Sequence, residues 1–223
     1  MIEAAARNPL KILGTTTSAG GYFGDVKVTG ECRFTGDVDC LSLSLTGETV
    51  VAGSLRMDKM KITGELAVEG NLEGHSLRGQ GEIKASSTRI DQLNFNGNLE
   101  VQGDCEAEEL RISGAINVAG LLNAEQLEVN LFGPCAAKEV GGSTITIKRS
   151  KAGLLLNLVK SNPKAFFTAG LIEGDRVDLN YTLADVVRGD HLIIGADCEI
   201  NTVEYRSTLE LHKLATVRHQ VKL

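Results

Sequence analysis

The sequence is poor in proline and aromatic residues, and it has no long apolar run. It contains 3 prolines, 3 tyrosines, 6 phenylalanines and no tryptophan, against 25 glycines. Disordered low-complexity chains enrich proline and glycine together, so this imbalance argues against disorder. No stretch reaches the length of about 18 apolar residues that a transmembrane helix needs. Residues 1–13 lack a sustained apolar segment and contain Pro9, so no signal peptide is predicted.

Positive charge is also scarce over most of the chain. The formal net charge is −6. Residues 1–133 carry 19 Asp and Glu against 11 Lys and Arg, a net of −8, and residues 134–223 carry 10 against 12, a net of +2. Nucleic-acid binding needs a clustered basic face, so an acidic body disfavours that class of function.

The five cysteines do not form a metal or redox motif. None of them has the C-x-x-C spacing of a zinc or dithiol site. Because disulfides are rare in the cytosol, we predict buried, free thiols in a reducing compartment. They are Cys32, Cys40, Cys105, Cys135 and Cys198.

Glycine recurs at a fixed interval. One series falls at Gly30, Gly47, Gly64, Gly81, Gly97 and Gly114, with intervals of 17, 17, 17, 16 and 17 residues. A second series follows each of them by six residues in most repeats. At six positions after Gly30, Gly47, Gly97 and Gly114, 23 of 24 residues are apolar. Such self-similarity indicates a repeat architecture.

The spacing inside each repeat predicts β-strands. The apolar positions follow one another in steps of 2, 4, 2, 3 and 2, and steps of two place side chains on one face of a strand. Glycines are expected at two of three corners, where a sharp bend favours them. The predicted fold is all-β: a triangular parallel β-solenoid, or β-helix, with about 17 residues per coil. We assign Gly30, Gly47, Gly64, Gly97 and Gly114 as corner residues.

The periodicity divides the chain into three parts. Residues 1–13 are predicted to be a short N-terminal extension, residues 14–205 the β-helix, and residues 206–223 a C-terminal strand or tail. Within the β-helix, residues 145–170 are predicted to leave the solenoid as a hairpin. This hairpin mixes basic and apolar residues, which suits an anionic membrane surface or a partner groove. Packing of the hairpin on the solenoid is the alternative. The candidate residues are Lys148, Arg149, Lys151, Leu154, Leu155, Leu156, Lys160, Lys164, Phe166 and Phe167.

The C-terminal block carries a family resemblance. Residues 171–175 (Leu-Ile-Glu-Gly-Asp), 187–190 (Val-Arg-Gly-Asp) and 198–205 (Cys-Glu-Ile-Asn-Thr-Val-Glu-Tyr) resemble the end of a bactofilin domain, and residues 18–21 (Ser-Ala-Gly-Gly) resemble its start. The resemblance spans about residues 14–205. It implies a right-handed parallel β-helix and a cytoplasmic bacterial cytoskeletal scaffold. Such scaffolds polymerise end to end without nucleotide and support cell shape, polarity or motility.

The same resemblance implies partners and a location. The expected partners are further copies of the chain, another bactofilin, or a peripheral contact at the inner face of the cell membrane. The chain lacks the proline-rich tails of many family members. At the C-terminal end no polar capping helix is evident, and an uncapped solenoid end exposes unpaired strand edges. We predict end contacts through Leu192, Ile194, Ile200, Val203 and Tyr205.

Catalytic motifs do not stand out. The sequence lacks the phosphate-binding loop, the nucleophile elbow and the H-E-x-x-H zinc motif. We therefore predict no enzyme activity, cofactor, metal or small-molecule substrate. His191 as the base of a β-helical acyltransferase is an alternative, and a solenoid adaptor that does not polymerise is another. In the acidic cluster Glu106, Glu108 and Glu109, the first two residues flank an inward Ala107, which indicates a solvated surface.

Overall fold

The computed structural model describes residues 7–149 and 165–223, and in them the chain is a β-solenoid. One fully parallel sheet of ten strands makes about 12 turns of about 17 residues each, and the described residues include no helix. Each strand pairs with its neighbours in sequence. The strands are β1 (Leu10–Ser18), β2 (Gly21–Phe34), β3 (Val38–Val51), β4 (Leu55–Val101), β5 (Cys105–Leu131), β6 (Cys135–Arg149), β7 (Phe167–Leu179), β8 (Thr182–Ile194), β9 (Glu199–Leu211) and β10 (Thr216–Lys222). The predicted fold class is confirmed.

The core is a narrow column of inward-facing side chains. Of the 24 inward positions identified from the repeat, all except the half-buried Ala107 are buried. Thr49, the polar exception among them, is also buried and stacks in register between Cys32 and Leu66. Because each side of a coil contributes two inward residues, aliphatic side chains fill the column, and it holds few rings. Inward alternation in steps of two is thus the physical basis of the fold.

The corner glycines stack directly on one another. Gly47 pairs with Gly30 and with Gly64 in the flanking coils. At Gly64 φ is +137°, and an added Cβ would lie 2.0 Å from the carbonyl oxygen of Gly47. Positive φ and close backbone approach together require glycine. The same sign of φ occurs at all the predicted corner positions: Gly30, Gly47, Gly64, Gly97 and Gly114.

The solenoid extends beyond both predicted boundaries. β1 pairs in register with β2 from Leu10, so residues 10–13 belong to the first coil and not to an extension. Leu10 and Ile12 take the places of Val26 and Val28, which continues the inward alternation. At the other end, β10 pairs with residues 199–205, and the chain after residue 205 is a further partial coil.

The predicted hairpin excursion also has different limits. Ile145 pairs with Leu127 on one side and with Val177 on the other, so residues 145–149 are solenoid strand. Residues 167–170 belong to β7. The intervening residues 150–164 lie outside the described residues. The described part of the chain contains no helix that is long and apolar enough to span a bilayer.

Candidate functional site

A second corner is closed by polar side chains that the sequence analysis did not identify. The Ser54 amide donates to Asp37 Oδ1 at 2.7 Å, and the Asn71 amide donates to Ser54 Oγ at 3.2 Å. In the coil that begins at Gly97, Asp104 Oδ1 accepts from the Leu121 amide at 2.8 Å. These side chains satisfy backbone groups at a bend, where the sheet ladder is interrupted. The sequence signal that could have identified these side chains is a short polar residue directly after each glycine of the second series, as in Gly36-Asp37, Gly53-Ser54 and Gly103-Asp104.

A second glycine column lies in the C-terminal half. Gly142, Gly174 and Gly189 are in register in β6, β7 and β8. A Cβ at Gly189 would lie 2.1 Å from the Gly174 carbonyl oxygen. Their spacing is 32 and 15 residues, because residues 150–164 and then a shorter coil lie between them. The 17-residue interval that identifies the corner glycines therefore did not identify this column. The shallow groove of these glycines is bordered by Arg188, which bonds Glu204 at 2.6 Å and Glu173 at 3.2 Å.

The candidates for catalysis are dispersed over the surface. His191 is exposed, and its Nδ1 lies 3.0 Å from Thr208 Oγ1. Glu106 pairs with Arg89 at 2.9 Å, and Glu109 pairs with Arg111 at 2.5 Å. Among the described residues, no three His, Cys, Asp or Glu side chains are grouped in a way that could hold a metal ion. The Glu106–Arg89 pair joins neighbouring coils, and the Glu109–Arg111 pair lies within one strand.

The cysteines are buried and free, as predicted from their spacing. Burial raises the pKa of the Cys40, Cys105, Cys135 and Cys198 thiols to about 11. Burial also raises the pKa of Cys32. Since the thiolate is the nucleophile, these side chains behave as small apolar core residues.

The residues at the edges of the insertion pack against the solenoid. The Arg149 guanidinium lies 3.7 Å from the Tyr181 ring centroid and 5.7 Å from that of Phe166, and its Nη2 donates to the Ala165 carbonyl at 3.1 Å. Lys148 pairs with Glu128 at 2.9 Å, and Phe167 is fully buried.

These contacts correct part of the membrane or partner prediction. Phe167 is a core residue because it occupies an inward strand position, and Arg149 is held between two rings. The remaining candidates, Lys151, Leu154, Leu155, Leu156, Lys160 and Lys164, lie outside the described residues.

The last partial coil has an open strand edge. We call residues 206–223 the C-terminal tier. β10 pairs with residues 199–205, whereas residues 208–211 of β9 pair with β8 alone within the described part of the chain. The tier also exposes apolar side chains: Leu211 is 45% exposed, Leu214 56% and Leu223 58%. Open strand edges beside exposed apolar side chains are typical of surfaces that pair with another chain.

The residues predicted as end contacts lie beneath this tier. Leu192 and Ile194 pair with Leu209 and Leu211, and Ile200 pairs with Val217. Val203 is fully buried and pairs with Gln220, and the half-buried Tyr205 pairs with Lys222. The prediction of these five as the end surface is therefore wrong by one coil. The structure puts Leu211, Leu214 and Leu223 at the exposed end instead.

The comparisons with known proteins find relatives without an assigned activity. Over 107 residues, the chain is 39% identical to the uncharacterized protein YhbE of Bacillus subtilis (strain 168). This alignment covers 48% of this chain and 44% of YhbE. Over 105 residues it is 38% identical to the uncharacterized protein YhbF of the same organism, covering 47% and 42%. The alignments thus span less than half of either relative. No family model matches the chain. No solved structure matches it either.

Proposed function

We propose that this protein is a non-enzymatic, self-assembling scaffold subunit of bactofilin type, which forms filaments end to end without nucleotide. The observation that carries the proposal is the C-terminal tier, where an unpaired strand edge lies beside Leu211, Leu214 and Leu223. Stacking a second copy on this edge would continue the parallel ladder and cover the apolar side chains. The proposed role is a cytoplasmic bacterial scaffold for cell shape, polarity or motility.

Two features support a structural role over catalysis. Arg89, Arg111, Arg188 and Lys148 join neighbouring coils through exposed ion pairs, so polar side chains along the shaft serve the solenoid itself. The buried thiols have raised pKa values and are poor nucleophiles. The proposed partners are therefore further copies of this chain or a related solenoid.

The test is assembly of the purified protein in nucleotide-free buffer, observed by electron microscopy and analytical sedimentation. Wild type is expected to form filaments at micromolar concentration. The variant Leu211→Gln with Leu214→Gln removes apolar contact at the tier without changing charge. We expect it to raise the protein concentration needed for assembly by at least about tenfold, since full burial of one leucine contributes about 1.5–3 kcal/mol and a tenfold change corresponds to about 1.4 kcal/mol.

The matched control is Leu41→Gln with Ile193→Gln. These residues are 53% and 43% exposed, but they lie on the sides of the shaft. Assembly of the control is expected to equal that of wild type. A wild-type protein that sediments as a monomer at every concentration would refute the proposal and favour the solenoid adaptor.

A further inference from the structure

The charged side chains of the C-terminal tier are nearly all cationic. The tier contains Arg206, Lys213, Arg218 and Lys222 against a single carboxylate, Glu210, which is a net of +3. All five are exposed. Because the whole chain has a net charge of −6, the remaining residues carry −9. The protein is thus an acidic shaft with a basic end.

Most of this positive charge has no local counter-ion. Arg206 pairs with Asp190 of the coil beneath at 3.1 Å. Lys213, Arg218 and Lys222 form no ion pair within the described residues. These three cations share the tier with the exposed Leu211 and Leu214.

Stacking of two C-terminal tiers on each other brings cations together. Two C-terminal tiers that face each other would each contribute a net of +3. At the opposite end, the charged residues of the described first coil, 7–18, are Arg7 and Lys11, and Arg7 is paired with Asp39 of the shaft. Apolar contact and strand pairing favour association, whereas like charges oppose it.

We propose that association through the C-terminal tier depends on multivalent anions, which collect between the facing cations and offset their repulsion. This inference rests on the self-assembly proposed above. The ligand class is a small, soluble, multiply charged oxyanion such as a condensed phosphate, because it can bridge several lysine and arginine side chains at once. Monovalent salt acts more weakly, since it only screens the charges.

The experiment measures the critical concentration for assembly by sedimentation. One series uses about 10 mM chloride, in which the screening length is about 30 Å. A second adds inorganic pyrophosphate, and a third adds chloride to the same ionic strength as the second. All three series are at the same pH. We expect pyrophosphate to lower the critical concentration about tenfold, and more than matched chloride does.

Two variants of equal charge identify the tier as the site. Lys213→Gln, Arg218→Gln and Lys222→Gln together remove its unpaired cations. This variant is expected to assemble in low salt as readily as wild type with pyrophosphate, and to lose the response to the anion. The control, Lys27→Gln, Lys59→Gln and Lys61→Gln, removes three exposed lysines from the shaft and is expected to respond like wild type.

The possible outcomes separate this inference from the proposed function. Assembly that is equally good in low chloride and in pyrophosphate overturns the anion dependence and leaves self-assembly standing. A control variant that loses the response along with the tier variant also overturns it, since the effect would then follow overall charge. Failure of wild type and of the tier variant to assemble in every series overturns both.

Discussion

At a corner of the solenoid, one glycine decides whether two coils can stack. The Gly64 amide backbone has φ of +137°, and its Cα hydrogen points at the Gly47 carbonyl oxygen. A side chain at this position would be destabilising in two ways. It would hold the backbone in an unfavourable conformation, and it would collide with the Gly47 backbone, which cannot move away. Not every glycine of the chain meets these two costs. Gly133, for example, has room for a Cβ, whose nearest neighbour would be the Ala115 Cβ at 3.7 Å.

Gly64→Ala is therefore expected to lower the free energy of unfolding by about 3 kcal/mol, the sum of backbone strain and overpacking. Urea denaturation followed by circular dichroism would measure it. Gly133→Ala is the control and is expected to change stability by less than about 1 kcal/mol. Equal effects of the two substitutions would contradict the stacking explanation.

At the scale of the strand, polar side chains secure the bends between sheet faces. The Asp104 carboxylate accepts the Leu121 amide of the next coil across a gap in the regular ladder. Without that acceptor, the amide must bond water or remain unpaired. Glycine allows the bend, and the neighbouring short polar side chain then holds it.

Asp104→Ala is expected to cost about 1–2 kcal/mol, the range for removing a charged acceptor from a backbone donor. Hydrogen exchange should accelerate at the Leu121 amide and its immediate neighbours. Asp58→Ala serves as control, because Asp58 is exposed and lies 3.9 Å from Lys59, a contact that contributes little. Unchanged exchange at Leu121 in the Asp104 variant would show that the bond is dispensable.

At the scale of the whole molecule, the solenoid is a nearly one-dimensional stack. Each strand contacts the strand before and the strand after it, so stability is close to a sum over neighbouring coils. One coil can then be removed if the phase of the repeat is preserved. Gly47 would stack on Gly81 once residues 48–64 are deleted, since these residues are one full period.

The 17-residue deletion of residues 48–64 is expected to retain the β-sheet circular dichroism spectrum and a cooperative thermal transition. A deletion of residues 48–56 is the comparison. It removes 9 residues, about half of a 17-residue period, so the corner glycine and the inward residues that follow it no longer align with those of the preceding coil. We expect this shorter deletion to abolish the cooperative transition. A shorter deletion that folds as well as the longer one would argue against a register-locked core.

Prediction from sequence succeeded where a feature repeats and failed where it occurs once. The corners at Gly30 and Gly47 and the alternation of inward residues recur in coil after coil, so each repeat supports the next. The end surface has no such support. Leu192 and Leu209 occupy equivalent positions in consecutive coils, and only the pairing of β8 with β9 shows that Leu209 covers Leu192. The contact of Arg149 with Tyr181 likewise joins residues on either side of an insertion.

The sequence by itself determined the period, the all-β class, the inward residues and the corners, because these follow from local alternation and from the backbone freedom of glycine. Tertiary structure decided that residues 10–13 and 206–222 join coils of the solenoid, which apolar side chains remain exposed on the C-terminal tier, and which cations there have no counter-ion among the described residues. Those properties depend on the presence or absence of a neighbouring coil, which is a matter of contacts between residues about 17 positions apart. The scarcity of rings and prolines reflects the narrow column, and the surface that we propose for assembly is the C-terminal tier.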